Sequence, residues 1–362
     1  MASIQTFKKR LSMVYEELEK RGVKAAIVFN TLNMYYLTGF PRGRSLIVPV
    51  GGEPILLVSE LEFDEATETV KYGVVLPLKA NMSLYEVIIS KLTELNINGN
   101  IAVERQYMNI DMYSTLAKKL NVSEFIDFST VILQIRSVKD SEEIDLIRKA
   151  LNISEKSIKH LLGILHEGLS EVEIAGEIEY AMRKAGSEGY AFDSIVASGV
   201  RSAYPHASTT QKRVCQGELV VIDVGAKYGG YCSDITRTIA IGSIHEDLKK
   251  MFIPVLEAID AAVDVLSAGV TGAEVDAVAR RVIEKYGYGK YFTHSLGHGV
   301  GLAVHEEPGL NSRNNSPLLS GSVVTIEPGI YIKGVGGVRI EEMALVRDDG
   351  CEILNKLERV FF

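Results

Sequence analysis

Asp223, Asp234, His298, Glu327 and Glu341 are four carboxylates and one imidazole set in β-prone, glycine-bearing segments, and such a donor set suits divalent cations. Two stretches carry the acids. The first, 218–241, has Asp223 and Asp234 in Val/Ile-rich runs either side of a glycine-bearing turn. A turn centred on Tyr228-Gly229 makes the two acids cross-strand partners with Cβ atoms about 5 Å apart, where like charges repel. A cation must sit between them, or one acid must hold a proton. The second stretch, 322–347, repeats the arrangement: a turn near Gly334 sets Glu327 opposite Glu341. Two apolar hairpins that each bury an acid pair require cations, because a buried unpaired carboxylate is very unfavourable. Oxygen-rich donors with one imidazole fit Mn²⁺, Co²⁺, Fe²⁺ or Zn²⁺, and two bridging carboxylates fit a metal pair about 3.5–4 Å apart.

The imidazole comes from 294–308, where His294, His298 and His305 alternate with glycines that let backbone approach a ligand closely. A further histidine, His206, follows the turn-prone pair Ser198-Gly199. Each acid or histidine alone reads better as an exposed edge residue or an ordinary salt bridge than as a ligand; their joint occurrence does not. The run Gly297-His298-Gly299-Val300-Gly301 imitates a dinucleotide fingerprint but lacks its strand–turn–helix setting, so a nucleotide site is discounted. Tyr35, Tyr36 and Phe40 read as core or interface residues.

The elements that must position these groups fall into two parts. The first alternates an amphipathic helix over 3–21, an apolar run Ala25–Phe29, strand-like runs Ser45–Pro49 and Pro54–Ser59, and helices over 83–96 and 111–120, the pattern of an α/β domain over 1–130. The second, 131–362, opens with a helix whose acidic start at Asp140–Glu143 suits a helix N-terminus and whose periodicity runs to about Leu165. Ser170-x-x-Glu173 and Thr271-x-x-Glu274 predict capping boxes on two later helices. The whole is read as α+β.

Composition narrows the partners. The 362 residues carry a net charge of −8 without a basic run, which argues against nucleic acid and anionic membrane and for a small substrate. No apolar stretch is long enough to span a bilayer and no secretory block opens the chain, so a cytoplasmic protein is expected. Cys215, Cys232 and Cys351, odd in number and without metal spacing, are expected to be reduced.

The order Asp223, Asp234, His298, Glu327, Glu341 resembles the motif set of the creatinase/methionine aminopeptidase superfamily, the pita-bread peptidases, and within it the Xaa-Pro dipeptidase (prolidase) and aminopeptidase P branch. The segment Asn33–Phe40 resembles the creatinase-type N-terminal domain, so the likeness spans the chain. It implies a pita-bread catalytic domain behind that smaller domain. It also implies two divalent ions, Mn²⁺ or Co²⁺ foremost, with Asp223 on one, His298 and Glu327 on the other, and Asp234 and Glu341 bridging. Glu327 would serve as general base, His206 and His305 would bind substrate and stabilise the oxyanion, and Arg339 would line the substrate wall. The implied reaction is hydrolysis of the bond before proline by a homodimer. A creatinase-like amidinohydrolase, a methionine aminopeptidase and a non-catalytic binding protein fit the intact ligand set and the N-terminal domain less well. Gly309 departs from the pattern: several prolidases carry there an arginine that holds a dipeptide's carboxylate, so its replacement implies easier acceptance of longer peptides.

Overall fold

In the computed structural model, which describes residues 3–120, 122 and 124–362, the chain divides into two units, Met1–Ile135 and Arg136–Phe362. The first unit opens with the helix Ile4–Lys20. Ser3 caps it by accepting the Thr6 N–H at 3.1 Å, and Phe7, Leu11, Val14 and Leu18 recur at helical spacing to form its buried stripe. Beside it lies a mixed six-stranded sheet with Ala25–Val28 and Ser45–Pro49 central; Ile27, Ile47, Leu57, Ile88, Leu92 and Phe125 share its core. The expected helices are Leu84–Glu94 and Ile110–Leu120. Tyr36 and Phe40 are buried, while Tyr35 is half-buried.

In the second unit the long helix is Ser141–Leu162, ending three residues short of the expected Leu165 as the chain turns at Gly163. Asp140 and Glu143 cap it reciprocally, and capping boxes also open Glu171–Lys184 at Ser170 and Gly272–Lys285 at Thr271. Phe252–Val265 and Gly272–Lys285 cover one core with Val324, Ile326, Ile330, Val338 and Ile340.

The two acid-bearing stretches are hairpins, but each crosses from one sheet to another. In the first, Leu219–Val224 pairs with Ile235–Ala240 in a sheet completed by Ile195–Ser198, whereas Ala226–Tyr228 and Tyr231–Cys232 pair in a separate one. The reversal occurs at Gly229-Gly230, both with positive φ (57° and 78°), which suits a two-residue turn matched to strand twist. This corrects the turn read at Tyr228-Gly229 and moves the register by two: Thr236, not Asp234, lies opposite Asp223. The period of a strand is also two, so both acids keep the same face and meet diagonally instead of directly.

In the second hairpin, Val323–Ile326 pairs with Glu342–Arg347 in one sheet and Gly329–Ile332 with Gly336–Arg339 in another, both at a single offset. Glu327-Pro328 and Ile340-Glu341 lie at the crossing between the two, outside either ladder. Their backbones bond elsewhere: Glu341 N–H reaches Thr236 O at 3.2 Å and Glu327 N–H reaches Leu296 O at 2.8 Å. The crossings thus bring strand ends together from both hairpins.

Candidate metal centre

Asp223, Asp234 and Glu341 each offer an oxygen within 4.8 Å of the others, and Asp234, His298 and His305 form a second such group. Asp234 belongs to both. Asp223 Oδ1, Asp234 Oδ1 and Glu341 Oε1 are buried and have no hydrogen-bond donor among the described residues. Buried carboxylate oxygens are ordinarily satisfied, and three left bare on converging side chains form a cradle for a cation. The donors fit the ions expected of them.

The remaining contacts orient this cradle. Glu341 Oε2 accepts from Thr236 Oγ1 at 2.9 Å. His298 keeps Nδ1 on Gly299 O at 3.1 Å, which makes Nδ1 a donor and turns Nε2 toward Glu327 Oε1 (3.3 Å) and Asp234 Oδ2 (3.6 Å). Thr325 Oγ1 accepts the His298 N–H at 3.1 Å and contacts Glu327 Oε1 at 3.2 Å, fixing both side chains from one hydroxyl.

Electrostatics follow from crowding. Burial, then the charges of Glu341, Asp223 and Glu327, raises Asp234 well above the carboxylate range; burial, then Glu327 and Asp223, raises Glu341 likewise. Burial also opposes ionisation of Glu327, but the hydrogen bond and charge of His298 outweigh it and hold Glu327 at about 2. For His298, burial is overcome by the same bond to Glu327 and the ring is shifted upward. The side chains alone therefore balance their charge by holding protons, and a divalent cation would displace them.

Asp223, Asp234, His298 and Glu327 line a cleft of about 540 Å³ that also takes in His206, His294, His305, Gly309, Asn311 and Arg339. The His305 ring stands edge-on to His298 at 4.2 Å between centroids, and His206 is exposed at the rim. Arg339 is buried beneath the cleft. It donates to Asp223 Oδ2 at 2.7 Å, Tyr331 Oη at 2.8 Å, Thr236 Oγ1 at 3.0 Å and Pro205 O at 3.1 Å. Four of its five N–H groups are thus engaged within the protein, so its first effect is to aim Asp223. Tyr331 Oη in turn contacts His294 Nε2 at 2.9 Å. Thr236 was accessible to sequence reasoning, two residues beyond Asp234 on the same face. Tyr331 and Asn311 carried no such signal. Cys215, Cys232 and Cys351 are free thiols.

Residues 145–348 match Metallopeptidase family M24, and residues 10–138 match the Creatinase/Prolidase N-terminal domain. The chain is 41% identical to the Xaa-Pro dipeptidase of Pyrococcus furiosus, covering 97% of this chain and 99% of that one. Among solved structures, the Xaa-Pro dipeptidase from Bacillus anthracis superposes with a TM-score of 0.92 at 33% identity, over 98% and 100% of the two chains. An X-Pro aminopeptidase from Thermotoga maritima gives 0.88 at 37% identity, over 95% and 99%. Among the described residues no helix is long and apolar enough to cross a membrane. With a creatinase-type N-terminal domain ahead of an α+β pita-bread domain, this chain belongs to metallopeptidase family M24.

Proposed function

We propose that the chain is an Xaa-Pro dipeptidase, hydrolysing the bond before proline in small peptides. The observation that carries the metal-dependent chemistry is the set of bare buried oxygens on Asp223, Asp234 and Glu341. Substrate class is supported by 41% identity, over nearly the full length of both chains, to a protein named for that activity.

In this reading Asp223, Asp234, His298, Glu327 and Glu341 would hold two divalent ions, Mn²⁺ or Co²⁺, with Asp234 and Glu341 as ligands common to both. When bound, such ions supply Lewis acidity: they acidify water and polarise a carbonyl. Glu327 accepts a proton from the attacking water and returns it to the leaving nitrogen. His305 and His206 hold the peptide and donate to the developing oxyanion. Arg339 orients Asp223 from below and borders the bound peptide with its remaining N–H. Residues 1–130 form the creatinase-like domain, 131–362 the catalytic one, and the chain acts as a cytoplasmic homodimer.

A second reading, an Xaa-Pro aminopeptidase on longer peptides, is favoured by Gly309, which lines the cleft and presents no side chain to a terminal carboxylate. Rates on Xaa-Pro dipeptides and Xaa-Pro-Yaa tripeptides, with Mn²⁺, Co²⁺, Zn²⁺ or Fe²⁺ added to metal-free protein, separate the two. The dipeptidase cleaves dipeptides faster. Failure on both substrates with every ion rejects the enzyme reading.

A further inference from the structure

Outside the metal centre Arg136, Lys139 and Glu306 are buried together, their side chains 3%, 1% and 3% exposed. Arg136 Nη2 lies 2.5 Å from Glu306 Oε2 and Lys139 Nζ lies 2.9 Å from Oε1, so one carboxylate is clamped by two cations. Glu306 Oε2 also accepts the Ala303 N–H at 3.3 Å. Room for the carboxylate comes from Gly301, where a Cβ would stand 2.3 Å from Glu306 Oε1. The cationic segment is itself tied down, Lys139 N–H donating to Gly321 O at 2.9 Å.

Burying three charges is unfavourable unless geometry is good, so the arrangement calls for a purpose other than stability. The strand it belongs to suggests one. Glu306–Leu310 pairs with Gly297–Gly299, yet Gly297 is opposite Leu310 while Gly299 is opposite Glu306, so the ladder slips between its two pairings. Backbone bonding leaves such a short, glycine-rich, irregular pair weakly specified, and a slip of one residue exchanges the faces of every side chain. Anchoring Glu306 inward fixes the backbone at the residue that follows His305, which lies in the bend just before the strand with its ring in the cleft against His298.

We propose that the buried Arg136–Glu306–Lys139 triad sets the register of strand Glu306–Leu310 and so holds His305 in the cleft, which makes Glu306 a positioning residue. The inference rests on the peptidase reading for its kinetic consequence but not for its structural one. Glu306→Gln keeps the shape and removes the charge. It should lower kcat/KM roughly tenfold or more, the scale on which groups supporting a site act, with metal content unchanged. In a His305→Ala background the same change should alter kcat/KM less than about twofold, because coupled groups are not additive. Independently of turnover, the imidazole ¹⁵N and ¹H resonances of His305, assigned by their loss in His305→Ala, should shift in Glu306→Gln. If Glu306→Gln does not fold, Lys139→Met, which leaves a one-to-one ion pair, takes its place in both measurements. Equal losses in the two backgrounds, or unmoved His305 resonances, overturn the proposal. If the wild-type protein cleaves no Xaa-Pro peptide, the functional reading falls and the resonances alone decide this one.

Discussion

Glu341 and Glu342 are consecutive and buried to 1% and 2% exposure, yet they point into opposite surroundings. Glu342 Oε1 accepts from Arg359 Nε at 3.0 Å and Arg237 Nη2 at 3.2 Å, and Arg237 spends its other donors on the carbonyls of Thr236, Glu341, Leu357 and Glu358. Glu341 looks the other way, toward Asp223, Asp234 and Glu327, with Oε1 bare. His305 and Glu306 repeat the contrast across another strand. Burial of an acid does not by itself mark a ligand. Glu342, which meets arginines and no converging acid, is scaffold; Asp223, Asp234 and Glu341 converge with bare oxygens and form a site for an ion from outside, although Arg339 holds the other oxygen of Asp223.

The comparison is tested most severely at its sharpest point. Asp234→Ala or Glu341→Ala should abolish hydrolysis and, if both are shared ligands, strip both ions; metal analysis of the purified variants reads this directly. Full occupancy in either variant would break the bridging assignment. Glu342→Ala should leave metal content intact but destabilise the fold by about 3–5 kcal/mol, the usual result of orphaning a buried partner, as measured by denaturant unfolding.

Without metal, Glu341→Gln should do the reverse and stabilise. The folded-state pKa of Glu341 lies above its unfolded value, so the folded form retains its proton where the unfolded form has lost it. Wild-type stability therefore falls as pH rises above the unfolded carboxyl range of about 4, and the glutamine variant escapes that loss. Its advantage in Tm, followed in the presence of chelator, should grow with pH and vanish in acid. An advantage independent of pH would mean that charge crowding is not its source.

His305→Ala probes the neutral side of the cleft. It should lower kcat by roughly a hundredfold or more while leaving metal bound, the scale of one lost oxyanion donor. Loss of metal instead would move His305 from substrate to ligand, which its 4.8 Å grouping with Asp234 and His298 makes a real alternative. The smallest effect is expected at Gly309→Arg. A guanidinium there should lower KM a few-fold for Xaa-Pro dipeptides and less for tripeptides, since only a dipeptide presents its carboxylate at that depth. The substitution displaces Asn311 Nδ2, which lies 2.4 Å from where the new Cβ would stand. Equal KM changes for both substrates would show that position 309 does not face the carboxylate.

Much of this was written in the sequence. Period-two alternation put each acid pair on one face and the glycines marked the reversals, so the face of Asp234 survived even the two-residue error in its register. Capping residues marked the helix starts at Asp140, Ser170 and Thr271 because capping is decided within four residues. The tertiary structure alone decided which acid receives a counter-charge. Arg237 reaches Glu342 across 105 residues and Arg339 reaches Asp223 across 116, and no local period records such a meeting. It also decided that both hairpins change sheets beside their acids, which brings Glu341 of the second pair to Asp223 and Asp234 of the first. Local chemistry sets which way a side chain points, whereas charge balance in a low-dielectric interior depends on whatever chain the fold brings opposite.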